Sequence, residues 1–196
     1  MKLNKEEAYR LLTEGLEEPE KIQYVQHCVY VGNLAQMIAE ELSLDSEYAA
    51  VLGYLHDIGR KIEPWNHMYA GYEYLMENGY EEYAYICLTH SFLNNDMECI
   101  CGCFLSPESR GYDKVKSFVE SHENTMYDKI IQTCDLLCLH SGGTTLEERI
   151  SDIEARKGTH KKSQYHKDTA SAQKAEIERQ LGHSIYDFYD RLENKE

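Results

Sequence analysis

The side chains best suited to chemistry in this sequence are His27, His56, Asp57, His67, His90 and Asp135. Together they offer nitrogen and oxygen donors and no sulfur. Such a set suits divalent transition metals, iron first and then manganese, cobalt or nickel, in six-coordinate geometry; magnesium suits it less because it prefers oxygen. Six side chains exceed what one catalytic ion takes while leaving positions for water. Two ions fit better, with Asp57 as the bridge. His27, His56 and Asp135 would complete one site, and His67 and His90 the other. Two cations about 3.5 to 4 Å apart can activate water and polarise a phosphoryl oxygen together, which is the chemistry of phosphate-ester hydrolysis. For that reaction Asp57, His67 and His90 are the candidate catalytic residues, a histidine that is not a ligand being able to protonate the leaving group. Arg60 and Lys61 follow directly and bring positive charge for the phosphate. Arg149 and Arg156 share a helical face about two turns apart and could grip phosphate bidentately. The plainer reading of those two arginines is pairing with nearby Glu147, Glu148, Asp152 and Glu154.

Each of these residues must be positioned by a helix. His27 falls on the apolar seam of a helix from about Lys21 to Leu42, with Val31, Leu34, Ile38 and Leu42. His56 and Asp57 end an Ala- and Leu-rich helix that begins after Ser43 to Asp45, and Gly59 is expected to permit a sharp exit. Asn66 reads as the cap of a helix from His67 to Asn78, closed by Asn78-Gly79. A further helix, Glu81 to Ser91, carries Tyr83, Ile86, Cys87 and His90 on one face. One inward histidine is more simply a core residue bonded to a carbonyl. Four on successive helices each need a partner, and a shared cation would satisfy them together. Asp135 is the only acidic residue in the apolar run from Ile130 to Leu139. Buried without a cation it would cost several kcal/mol.

The remaining elements are an opening helix from Lys5 to Leu16, a helix from Lys114 to His122, one beginning at the Thr125-x-x-Asp128 box, and one opening at Thr144 or Thr145 and ending near Gly158. Asp168 to Leu192 reads as two helices divided at Gly182. Ser91 to Tyr112 is irregular and could form a lid or pocket wall. Thr159 to Lys167, with His160, Tyr165 and His166, is polar and could close over an anion or remain a solvated loop. No strand is convincing. The expected fold is all-α, a helical bundle over residues 1–196 as one domain, with a core at about 21–139 and C-terminal helices at 144–192 packed on it.

The chain has 196 residues, 42% hydrophobic, with a formal net charge of −15. That balance argues against duplex nucleic acid, whose phosphates need a basic face. No run approaches the roughly 20 apolar residues of a membrane span, and the first residues lack an apolar leader. The seven cysteines are odd in number and several lie on helix faces, which suggests reduced thiols and a cytoplasmic setting. Cys99, Cys101 and Cys103 lack the spacing and second ligand pair of a zinc site and read as incidental.

The order His27, His56-Asp57, His67, His90, Asp135 on an all-helical chain resembles the HD superfamily of metal-dependent phosphohydrolases. The matching stretches are His27 to Gly32, Gly53 to Arg60, His67 with Gly71-Tyr72, Thr89 to Ser91, and Lys129 to Asp135. The resemblance looks closest to small bacterial HD-domain proteins related to symmetrical diadenosine tetraphosphate hydrolases. It implies the helical fold, the six ligands and a small phosphorylated substrate such as a nucleotide. After His90 the chain reads Ser91-Phe92-Leu93, without the Gly-Tyr-Pro motif of the superfamily's cyclic di-GMP phosphodiesterases. Two other activities share the ligand set: a di-iron oxygenase of the same superfamily, and a nucleotide-sensing module without turnover.

Overall fold

Local capping chemistry starts several of the helices. In the computed structural model, which describes residues 2–98, 105–159 and 161–193, Asn4 and Glu7 form a reciprocal capping box that opens α1 (Lys5–Thr13). A 3₁₀ turn at Pro19–Lys21 leads into α2 (Gln23–Glu41). Asp45 accepts from the Tyr48 amide and opens α3 (Ser46–Leu55). A 3₁₀ turn, Ile58–Lys61, and a second, Pro64–Asn66, precede α4 (His67–Glu77). The expected helix from Glu81 to Ser91 is two short ones, α5 (Glu81–Ala84) and α6 (Ile86–Thr89). Then come α7 (Tyr112–Ser121) and α8 (Met126–Leu137), the latter opened by the Thr125–Asp128 box. Thr145 with Glu148 makes the box that opens α9 (Leu146–Lys157), and Gly158 ends it. The last helices are α10 (Ser163–Leu181) and α11 (Tyr189–Glu193).

The fold is all-α with one small addition. Cys138–Leu139 and Gly142–Gly143 pair antiparallel as β1 and β2, a hairpin that sequence periodicity does not reveal because each strand spans only two residues. Gly142-Gly143, a glycine pair that in the sequence reads as a turn, forms the second strand, and the turn is His140-Ser141. The polar Thr159–Lys167 segment also differs from expectation: from Ser163 onward it is the start of α10, with His166 buried. His160, Cys99, Cys101 and Cys103 lie outside the described residues. Cys28, Cys87, Cys134 and Cys138 are buried free thiols. Among the described residues no helix is long and apolar enough to cross a membrane.

Two close backbone approaches set the site. A Cβ on Gly53 would lie 2.4 Å from the Gly32 Cα, so α2 and α3 cross with almost nothing between them. That contact brings the His27 and His56 rings to a centroid separation of 5.3 Å. A Cβ on Gly59 would lie 1.9 Å from the His67 carbonyl oxygen and 2.5 Å from the Gly71 nitrogen. Gly59 is therefore needed for the approach of α4 and not for a left-handed exit, since it is absent from the positive-φ residues. Around these crossings a continuous apolar core runs from Leu3 to Leu192, with Leu34, Leu55, Met68 and Ile131 fully buried.

Candidate metal centre

Every sequence-selected donor reaches one place. His27 comes from α2, His56 and Asp57 from the end of α3, His67 from the start of α4, His90 from just past α6, and Asp135 from the last turns of α8. They form two groups whose donor atoms each lie within 4.8 Å of one another: His27, His56 and Asp135, and Asp57, His67 and His90. Asp57 stands between the groups. Its Oδ1 is 3.1 Å from His67 Nε2 and 3.5 Å from His90 Nε2, while its Oδ2 is 3.8 Å from His56 Nε2. Asp135 Oδ1 is 3.0 Å from His27 Nε2 and 3.9 Å from His56 Nε2.

All four imidazoles are oriented in the same way. Nδ1 faces a backbone carbonyl: Cys138 at 3.2 Å for His27, Gly53 at 2.7 Å for His56, Pro64 at 3.2 Å for His67 and Ile86 at 3.1 Å for His90. A carbonyl only accepts, so the proton belongs on Nδ1 and the Nε2 lone pair points to the centre. Carbonyl-oriented imidazoles of this kind are typical of metal-binding histidines. The small hairpin has a role here, because β1 supplies the carbonyl that turns His27.

Burial pushes the His56 pKa down to about 4 and that of His67 to about 3, so both stay neutral near pH 7. Burial also lowers His90, but the Asp57 carboxylate beside it and the charge of Asp135 raise it overall. For Asp57 burial opposes ionisation, yet His67, Arg60 and His56 hold its carboxyl well below the usual range. Asp135 is likewise held low against burial, chiefly by His27 beside it. The outcome is an excess of acceptors. His56 Nε2, His67 Nε2 and Asp57 Oδ1 are buried without a hydrogen-bond partner. A buried acceptor left unmatched costs on the order of 1–3 kcal/mol, and a cation is what matches several at once. The donor set therefore fits divalent metal binding.

A cavity of about 760 Å³ opens onto this centre, lined by His27, Asp57, His67 and Asp135 and by Arg60, Arg149 and Arg156. Arg60 donates through Nε to Asp57. Arg156 makes a two-nitrogen pair with Asp152 at 2.6–3.1 Å, the plainer of the two expected readings, although it still lines the cavity. Lys61 does not line it. Its ammonium donates to the Leu11 carbonyl at 2.8 Å and lies over the Tyr74 ring, because the 3₁₀ turn sends consecutive side chains apart. Asn66 does not cap α4 through its side chain; it donates to the Arg110 carbonyl at 3.0 Å instead. Among the described residues of Ser91–Tyr112, Ser91 alone joins the wall.

Sequence reasoning missed Tyr24, Trp65, His140 and Lys157 in the wall. Tyr24 sits one turn before His27 on the same helix, a spacing that could have indicated it. Trp65 is the chain's single tryptophan and stands two residues before His67.

Supporting contacts hold the far side. Asp128 accepts from Thr89 Oγ1 at 2.8 Å and Gln132 Nε2 donates to the Thr89 carbonyl at 3.0 Å, tying α8 to the segment that ends in His90.

A family model described as HD domain matches residues 24–157 of this chain. No curated protein and no solved structure matches it. The match spans well over half of the sequence, and the chain belongs to the HD domain family, whose members are generally metal-dependent hydrolases.

Proposed function

We propose that this HD-domain protein is a metal-dependent phosphohydrolase acting on a small phosphate ester, a nucleotide foremost. In this reading two divalent cations are held by His27, His56 and Asp135 and by Asp57, His67 and His90, with Asp57 shared. One observation carries it: four imidazole Nε2 atoms and two carboxylates converge while all four Nδ1 atoms are committed to backbone carbonyls. Nitrogen-rich coordination favours iron, manganese, cobalt or nickel over magnesium. When bound, such cations supply Lewis acidity and activate solvent for attack on phosphorus.

The chain's own residues do the rest. The Nδ1–carbonyl bonds fix each ring, so no rotamer search precedes binding. Because Nε2 of both His67 and His90 faces Asp57, a ligand role suits them better than proton donation. Arg60, Arg149 and Arg156 give the cavity wall a positive charge that a phosphate matches and a neutral polyol does not. That wall favours hydrolysis over the oxygenase alternative. The test is metal analysis of protein purified without chelator, followed by assays under argon. About two transition-metal ions per chain and phosphate release from nucleotides without oxygen are expected. Metal-free protein, or a product that forms only with oxygen, would overturn the proposal.

A further inference from the structure

Three wall residues are not explained by the paired clusters. Trp65 is 96% exposed, yet it lines the cavity beside His67. A tryptophan face left in water at a polar cavity mouth gains by covering another flat ring. Tyr24 carries a buried hydroxyl without a partner, and burial pushes its pKa up to about 12, so it stays a donor. Arg149 has a buried Nε that is likewise unmatched, and its nearest carboxylate, Asp152, lies 3.7 Å from a different nitrogen. Two buried donors without acceptors are as costly as the unmatched acceptors of the centre. Both residues line the same cavity, so a group entering it is what would match them, and that group is a second one, since the cations would take the scissile phosphate.

The charge distribution points the same way. The chain carries −15 overall, yet among the described residues the cavity wall holds Arg60, Arg149, Arg156 and Lys157 against Asp57 and Asp135. Arg149 and Arg156 are seven residues apart on α9, about 10 Å along its axis at 1.5 Å per residue. Arg156 is anchored on Asp152 and so does not fold back towards Arg149. Positive charge is thus spread further than a single phosphate extends.

We propose that Trp65, Tyr24 and Arg149 select a substrate in which a flat nucleobase is joined to more than one phosphate, in chemical class a nucleoside di- or triphosphate. Trp65 stacks on the base, and the Tyr24 hydroxyl and Arg149 Nε donate to oxygens of the phosphate that is not cleaved. The inference rests on the phosphohydrolase reading for the fate of the ligand, though not for its recognition.

Because Trp65 is the only tryptophan, its fluorescence reports the contact directly. Full-length protein is titrated with ADP, GDP, CDP and UDP, with adenosine, and with inorganic tripolyphosphate. At least one nucleoside diphosphate should quench Trp65 saturably. Adenosine should need at least about tenfold more to reach half-quenching, and tripolyphosphate should compete without quenching. Trp65→Ala should raise KM for the best nucleotide about tenfold, as loss of one base–aromatic stack predicts, and raise it by a clearly smaller factor for glycerol phosphate, which has no base to stack. Tyr24→Phe should weaken the quench about tenfold with no fall in Tm, since the hydroxyl has no protein partner to lose. Absence of saturable quenching by all four nucleotides, while glycerol phosphate is still hydrolysed, overturns this inference and spares the phosphohydrolase. Quenching without phosphate release from any ester does the reverse.

Discussion

The two triads at the centre contain the same kinds of donor in different surroundings. In the first, His27 and Asp135 keep 12% and 11% of their side-chain surface exposed and already touch at 3.0 Å. In the second, Asp57, His67 and His90 are sealed, at 2%, 2% and 1%. The sealed carboxylate is also the one that has a permanent counter-charge, the guanidinium of Arg60. Among the described residues, the carboxylate of the half-open triad pairs with His27 and His56 and with no arginine. Burial explains the difference in degree: both carboxylates line the cavity, but the one with less accessible surface has the greater need of a fixed cation to stay ionised. The less exposed triad is therefore expected to hold its ion longer, and the half-open triad to exchange it faster.

The largest test of this contrast removes each carboxylate in turn. Asp57→Ala takes away the donor that faces both triads, so it should abolish binding of both ions and lower phosphoester turnover by well over 100-fold, beyond the 10- to 100-fold typical of losing an outer hydrogen-bond partner. Asp135→Ala should cost one ion and leave the other. Elemental analysis of the two variants settles it, and retention of two ions by Asp57→Ala would end the shared-ligand account.

A smaller effect is expected from Gly59→Ala. The new methyl would lie 1.9 Å from the His67 carbonyl oxygen, which is backbone and cannot step aside cheaply. Overpacking of this kind costs about 1–3 kcal/mol, and Tm should fall by several degrees. Because α4 must move, the sealed triad should lose affinity for metal while the half-open triad keeps its own. Equal weakening of both would show that the triads are not separable in this way.

The mildest test needs no mutation. On dilution into chelator, one ion should leave at least about tenfold faster than the other, and His27→Ala should eliminate the fast phase alone. A single release phase carrying both ions would contradict the difference in exposure.

Most of the centre was legible beforehand because its residues violate the patterns around them. His27 and Asp135 interrupt apolar seams, and His56-Asp57 ends an apolar helix, so a core that admits them must satisfy them. The capping box at Thr125–Asp128 was equally legible, being a local arrangement of four residues, while the next helix start was narrowed only to Thr144 or Thr145, of which the structure uses Thr145 with Glu148. Lys61 was misplaced for the converse reason. Adjacency to Arg60 says nothing about direction once the backbone tightens into a 3₁₀ turn, and its ammonium went to the Leu11 carbonyl. The β1–β2 hairpin and the break between α5 and α6 left no periodic trace because each piece is too short to show one.

Sequence alone determined which side chains must be buried with unmet valences, since residue type and helical spacing are properties of neighbours along the chain. Tertiary structure alone decided how closely those six residues converge, which carbonyl turns each imidazole, and that Trp65 and Tyr24 belong to the wall. Those outcomes depend on the two glycine crossings, Gly32 on Gly53 and Gly59 on α4, where backbones approach to contact distance. A close approach is a relation between segments far apart in the chain, and no local pattern encodes the distance.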